Sequence, residues 1–246
     1  MTYYVRQVKT FELGNFINCT PTIQALYKQY KRPVPVLFEN EYLADVFKDA
    51  PFMMEIFKPG GRELFSSKMV NSDIPDWQFI YNNVAQKIGG LPETIPHTYI
   101  DSPLNNKSDF VVVVRGCLQA WKFSTKDPGD PAYYYLIKHL IDLGHQVVFV
   151  GQESDVSYSQ KVFKYFGKAL KYSKTTLREA VGLVNSCDFI VGNDTGLMHA
   201  AAALKKKAFC MWAKTIFEKN RTPGDYVTYS FNNYINDFKK WISALP

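Results

Sequence analysis

Five consecutive apolar residues, Phe110-Val-Val-Val-Val114, do most to limit what this chain can become. A strand with one face in water alternates apolar and polar side chains. A strand with no polar face must be covered on both sides, and the helical crossovers of a parallel sheet supply that cover. Buried strands are read again over residues 146–150 and 189–191, each followed by a glycine (Gly151, Gly192). Helical patterns lie between and around them, over 131–143, 158–166 and 176–185, with a short strand at 170–172. Thr175 or Thr176 caps the third of these, with Glu179 at capping-box spacing. Strand and helix in strict alternation predict an α/β fold with parallel sheets.

The first hundred residues carry the same alternation. Residues 3–9 read as a strand and 10–15 as a turn. Thr20 is the expected N-cap and Pro21 the first position of a helix whose apolar stripe is Ile23, Leu26, Tyr27 and Tyr30. A strand over 34–38, a helix over 41–48 and a helix over 76–88 follow, while 51–75 shows no periodicity and reads as irregular. Pro92, Pro96 and Pro103, with Asn105-Asn106-Lys107-Ser108, mark the joint between domains 1–104 and 105–246. A strand over 207–212 and a terminal helix over 232–245 complete the second. That helix presents Ile235, Phe238, Trp241 and Ile242 on one side and could pack on either domain.

With 46% hydrophobic and 21% charged residues in 246, the chain has ample material for a core and is not a disordered type. Its net charge of +6 allows an anionic partner, whether nucleotide, nucleic acid or anionic membrane, without choosing among them. The four cysteines form no CxxC pair, so buried reduced thiols are expected rather than a metal site. No apolar run approaches the ~18 residues of a membrane span, and the N-terminus lacks a signal-peptide core; a cytoplasmic location is expected.

Ligands of open α/β sheets bind beyond the carboxyl ends of the strands. The turns at 11–19, 115–127, 151–155 and 192–195 therefore matter most. The last is the richest: Val191-Gly-Asn193-Asp194-Thr195-Gly196-Leu-Met-His199 followed by four alanines. A strand turning through glycine into a helix N-terminus offers unpaired N–H groups and the positive end of a dipole, which suits a phosphate or diphosphate. His199 lies one helical turn beyond Thr195 and can face the same anion. The plainer reading is an N-cap followed by a packed alanine helix. Arg115 is either an anion ligand or a rim residue, and Glu153 and Asp155 either touch a ribose or base or cap the next helix. Lys205-Lys206-Lys207 complements a helix C-terminus, or touches an anion.

The run from Asp188 through Asp194, Thr195, Gly196 and His199 to Leu204 resembles the nucleotide-diphosphate motif of glycosyltransferase family 9, the ADP-heptose–lipopolysaccharide heptosyltransferases. Residues 8–23, including Gly14, Asn15 and Pro21, are similar to that family's first strand and acceptor-side loop, and residues 147–151 and 176–180 are also similar. The resemblance implies a GT-B fold, two Rossmann-like domains facing each other across a cleft, and metal-independent transfer with inversion and no cofactor. The donor would be a nucleoside-diphosphate sugar and the acceptor a surface glycan. It implies that Asp194, Thr195, Gly196 and His199 line the donor site, with Lys122 contacting phosphate there and also catalytic by neutralising the leaving diphosphate; Arg115, Gly151 and Asn193, at the carboxyl ends of strands, are further donor-site candidates. The family has an aspartate, thought to be the general base, where this chain has Asn15. An amide cannot take a proton, which leaves Glu12 as the nearest candidate. Two alternatives follow: a glycosyltransferase acting on a hydroxymethylated DNA base, and a non-catalytic module that binds a nucleotide sugar. A dinucleotide dehydrogenase is disfavoured, because no Gly-x-Gly-x-x-Gly follows the first strand. Oligomeric state, nucleotide base and sugar are not legible.

Overall fold

The computed structural model describes residues 3–8, 13–68, 74–103, 107–116, 126–213, 217–221 and 224–245. It divides into two compact units. Unit 1 comprises Met1–Asp101 with Ile216–Gly224, and unit 2 comprises Ser102–Thr215 with Asp225–Pro246.

Unit 1 is built on four parallel strands in the order β3-β2-β1-β4: β1 Tyr3–Gln7, β2 Val34–Phe38, β3 Met53–Ile56 and β4 Arg62–Ser66. Its helices are α1 Leu13–Tyr30, α2 Glu41–Phe47 and α3 Asp76–Ile88. Phe16 of α1 packs on Phe38 and Phe47, with ring centroids 5.1 and 4.9 Å away, and so pins α1 and α2 to β2.

Two expectations fail here, each for a local reason. Residues 51–75 hold β3 and β4 rather than irregular chain. Both are edge strands with much exposed surface, so neither needs an apolar run or a clean alternation. The first helix does not start at Thr20; it begins at Leu13 and carries Pro21 in its interior. Proline has no N–H, so the Ile17 carbonyl four residues earlier would lose its donor. The Thr20 hydroxyl replaces it, donating to Ile17 O at 2.7 Å and accepting from Tyr99 N–H at 2.7 Å. A Thr-Pro pair read as a helix start is instead a repaired helix interior.

Unit 2 is a six-stranded, wholly parallel sheet in the order β10-β9-β8-β5-β6-β7. The strands are β5 Val111–Val114, β6 Val147–Val150, β7 Leu170–Ser173, β8 Ile190–Asn193, β9 Ala208–Met211 and β10 Val227–Ser230. The helices are α4 Asp130–Asp142, α5 Glu153–Tyr158, α6 Gln160–Phe166, α7 Leu177–Ser186, α8 Gly196–Ala203 and α10 Tyr234–Ser243. A short α9, Phe217–Asn220, belongs to unit 1. Every residue of β5, β6, β8 and β9 is buried, as their apolar runs demand. Thr176 and Glu179 form the expected capping box of α7. The helix expected over 158–166 runs from Gln160 to Phe166, and a further short helix, Glu153–Tyr158, precedes it across Ser159. The strand β10 escaped notice because Thr228 and Tyr229 interrupt it at the sheet edge. Helix α10 lies on its own unit: Phe238 is wholly buried with its ring 5.2 Å from that of Phe209. Cys19, Cys187 and Cys210 are buried and unbridged, and burial pushes each thiol pKa up, to about 12 for Cys187. Cys117 lies outside the described residues.

The order places a topological switch between β5 and β8: the chain runs outward from β5 to β7 on one side, then returns to β8 on the other. The two strands meet closely, with Val114 paired to Gly192. A Cβ at residue 192 would stand 2.2 Å from the Val114 carbonyl oxygen, which only glycine avoids.

Thr20→Val should destabilise unit 1 by about 1–3 kcal/mol, the cost of leaving buried polar groups unpaired. Thr20→Ser, which keeps the hydroxyl, should unfold at close to the wild-type urea midpoint.

Candidate functional site

At the carboxyl ends of β5 and β8 a set of polar side chains converges. Asn193, the last residue of β8, is fully buried. Its Nδ2 donates to the carbonyls of Gly116 and Lys126, both at 3.1 Å, and its Oδ1 accepts from Gly116 N–H at 3.3 Å. The Tyr133 hydroxyl of α4 lies 3.0 Å from the same Oδ1 and 3.1 Å from Val114 O. This amide therefore stitches β8 to the segment after β5, and its hydrogen bonds are satisfied within the protein.

Asp194 follows and is only 2% exposed. Lys126 Nζ stands 2.6 Å from its Oδ2 and His199 Nε2 3.5 Å from its Oδ1. Burial, the largest single influence, works to raise the Asp194 pKa; the His199 hydrogen bond and the Lys126 charge overcome it and bring it down to about 2. The carboxylate is thus an ion at neutral pH, and it fixes the two groups beside it. Thr195 caps α8 with extended backbone and makes no side-chain cap bond. Its Oγ1 and the Nδ1 of His199 are buried without a hydrogen-bond partner among the described residues. In the first turn of α8, Met198 and His199 N–H donate to the Thr195 carbonyl at 3.0 and 3.3 Å, so the N–H groups of Gly196 and Leu197 are those that helix geometry leaves without an intrahelical acceptor. Here an ammonium, an imidazole, a hydroxyl and a helix N-terminus gather around one corner, with one buried negative charge behind them.

Arg115 is held away from this role. Its side chain is 3% exposed and forms a fork onto Asp127, with Nε 3.1 Å from Oδ1 and an Nη 2.8 Å from Oδ2. The other Nη lies 2.5 Å from Asp130, and the guanidinium is sandwiched between the rings of Tyr133 and Tyr158 at 4.8 and 4.7 Å. The Tyr158 hydroxyl donates to Asp127 as well, at 2.6 Å. Burial pushes the Asp127 pKa up, but these bonds and the guanidinium charge hold it below the usual range. Arg115 anchors the segment that carries Lys126. Gly151 follows β6 at a notch filled by Asp155, whose carboxylate would lie 3.0 Å from a Cβ at 151 and 2.7 Å from one at Gly116. Asp155 caps α5 by accepting from Gln152 N–H at 2.9 Å, the plainer of its two readings, and burial raises its pKa.

The structure brings Asp194, Thr195, Gly196 and His199 together at one corner, and Lys126, which the sequence did not single out, joins them there. Its signal was faint: a lysine heading the turn Lys126-Asp127-Pro128-Gly129 just before α4. Lys122, the lysine chosen instead, lies outside the described residues, as does Glu12. Asn15 sits in the first turn of α1, where its carbonyl accepts from the Cys19 thiol at 3.4 Å.

Arg115→Ala should cost about 3–5 kcal/mol of stability in denaturant titration, because it strands buried carboxylates. For Asp194 the folded pKa, about 2, is below the unfolded value near 4. Its contribution of roughly 2–3 kcal/mol is therefore complete above pH ~4 and lost as pH falls towards 2. The stability gap between wild type and Asp194→Asn, followed by urea unfolding across that range, should close accordingly.

Comparison with known proteins bears on this site. The profile of glycosyltransferase family 9 (heptosyltransferase) matches residues 105–239, more than half of the chain and nearly all of unit 2. Lipopolysaccharide heptosyltransferase 2 of Escherichia coli is 36% identical over 90 residues, 33% of this chain and 26% of that protein. Lipooligosaccharide heptosyltransferase 2 of Haemophilus influenzae is 32% identical over 93 residues, 35% of this chain and 27% of that protein. The matched stretch thus spans about a quarter of each curated relative. The structure of E. coli ADP-heptose lipopolysaccharide heptosyltransferase II aligns over 96% of this chain and 94% of its own, with a TM-score of 0.76 at 14% identity. An E. coli heptosyltransferase solved with ADP aligns over 98% and 99%, with a TM-score of 0.71 at 14% identity. At such identities the structural likeness establishes the fold, which is GT-B. With the profile covering the switch-point strands and the Asp194–His199 corner, the chain belongs to glycosyltransferase family 9.

Proposed function

We propose that the protein transfers a sugar from a nucleoside-diphosphate sugar to an acceptor hydroxyl with inversion, and that its donor is an ADP-linked heptose. The observation that carries this reading is the pairing of Lys126 Nζ with Asp194 at 2.6 Å, beside the N-terminus of α8 and His199. In the transfer, the acceptor oxygen attacks the anomeric carbon and loses its proton to a base. The bond from that carbon to the phosphate oxygen breaks, and the nucleoside diphosphate departs with the electron pair. Negative charge grows on the diphosphate, where preorganised cations and dipoles are worth most. Lys126, the Thr195 hydroxyl, His199 and the α8 N–H groups are placed to receive it. The reading needs no metal for that task. The donor choice rests on family membership and on the neighbours solved with ADP and with ADP-2-deoxy-2-fluoro heptose.

On the acceptor side, the reading assigns the surface glycan of the lipopolysaccharide type to this protein, with Glu12 as proton acceptor and the Asn15 amide as an aid to orientation. Asn15 also supports a second reading, a module that binds the nucleotide sugar without turning it over, since an amide takes no proton.

Titration calorimetry with ADP and ADP-heptose tests the donor. Binding is expected, weakened at least ten-fold in Lys126→Ala, and failure to bind any nucleotide sugar would sink the proposal. Turnover with a truncated lipopolysaccharide acceptor should fall roughly 10²–10³-fold in Lys126→Ala and persist in EDTA. Binding without turnover would select the second reading.

A further inference from the structure

One stretch of unit 2 carries as much charge as the whole chain has in excess. Between Asp155 and Glu179 there is no acidic residue, while Lys161, Lys164, Lys168, Lys171, Lys174 and Arg178 supply six positive charges, equal to the net +6 of the protein. Lys174 is engaged by Glu153 at 2.5 Å, and Arg178 has interactions of its own. Lys161, Lys164, Lys168 and Lys171 are exposed, and none forms an ion pair among the described residues.

Helical geometry sorts α6 into two sides. Val162, Phe163 and Phe166 turn inward onto the sheet, with Val162 fully buried. Lys161, Lys164 and Tyr165, spaced i, i+3 and i+4, share the outward side. Lys168 follows in the 3₁₀ turn Gly167–Ala169, and Lys171 stands on β7, the edge strand of the sheet. The Tyr165 ring is 65% exposed, supported from behind by Tyr134 at 5.1 Å and Phe166 at 4.9 Å. Like charges one turn apart repel and give the fold nothing in return.

We propose that this lysine side of unit 2 docks on an anionic phospholipid surface. Four lysines of one sign complement negative headgroups, and lysine stems and a tyrosine ring suit the boundary between headgroup and acyl chain. A nucleic acid is the weaker match. The surface is the outside of one helix and a sheet edge, with one exposed ring instead of a row of stacking platforms. Because the apolar side of α6 is already spent on the core, the contact is peripheral and salt-sensitive. This inference stands apart from the donor site.

The full chain is tested by flotation with vesicles of phosphatidylcholine alone or with 30% phosphatidylglycerol, at low and high salt. Binding is expected only to the anionic vesicles and only at low salt. Each lysine near an anionic surface is worth roughly five-fold. The triple variant Lys161→Gln, Lys164→Gln, Lys168→Gln should therefore partition about 100-fold less. The single variants should each lose about five-fold, a readout that survives if the triple variant does not fold. The proposal is overturned if neutral vesicles bind equally well, if the lysine variants bind like wild type, or if duplex DNA binds through these lysines while vesicles do not.

Discussion

The close pairing of β5 with β8 is the seam on which unit 2 depends. The two strands meet where the winding of the sheet reverses, and Val114 O leaves no room for any side chain at residue 192. That approach brings Asn193 within reach of Gly116, Lys126 and Tyr133, whose bonds to the amide hold the segment after β5 against the start of α8. Without the seam, Lys126 would have no fixed relation to Asp194. The site is thus a consequence of sheet topology before it is one of side-chain chemistry.

The charges around the seam divide into two kinds. Arg115, Asp127 and Asp130 form a buried set whose members satisfy one another, clamped between two tyrosine rings. Such a set contributes modestly in net terms, since desolvation offsets attraction, yet it tolerates no missing member. Asp194 is different. It spends a buried negative charge on holding Lys126 and His199, and a hydroxyl and an imidazole nitrogen beside them have no hydrogen-bond partner among the described residues. Buried polar atoms left in this state cost free energy in isolation, and their clustering at a helix N-terminus is what a bound anion would repay.

Unit 1 shows how a local signal can be read with the wrong sign. Thr20-Pro21 has the residue types of a helix start, yet Leu13 to Tyr30 is one helix in which the threonine hydroxyl does the work of the absent proline N–H. Only the arrival of Tyr99 N–H from far along the chain, and the packing of Phe16 on β2, reveal that the helix continues upstream. The edge strands β3 and β4 were hidden for a related reason: with much exposed surface, they carry no pattern of their own.

Sequence alone determined the parallel α/β class, most of the element positions in unit 2, and the corner from Asp194 to His199. These depend on short-range facts: apolar runs that must be covered on both faces, capping residues at set spacing, and a glycine turn leading into a helix. The tertiary structure decided which residues meet at that corner. Asn193 and Arg115 were expected at the anion and are instead spent on the scaffold, while Lys126 enters from 68 positions upstream of Asp194. Pairings across such separations follow from strand order and burial. Spacing along the chain cannot encode them, because two side chains compete for the same charge only once the fold has brought them together.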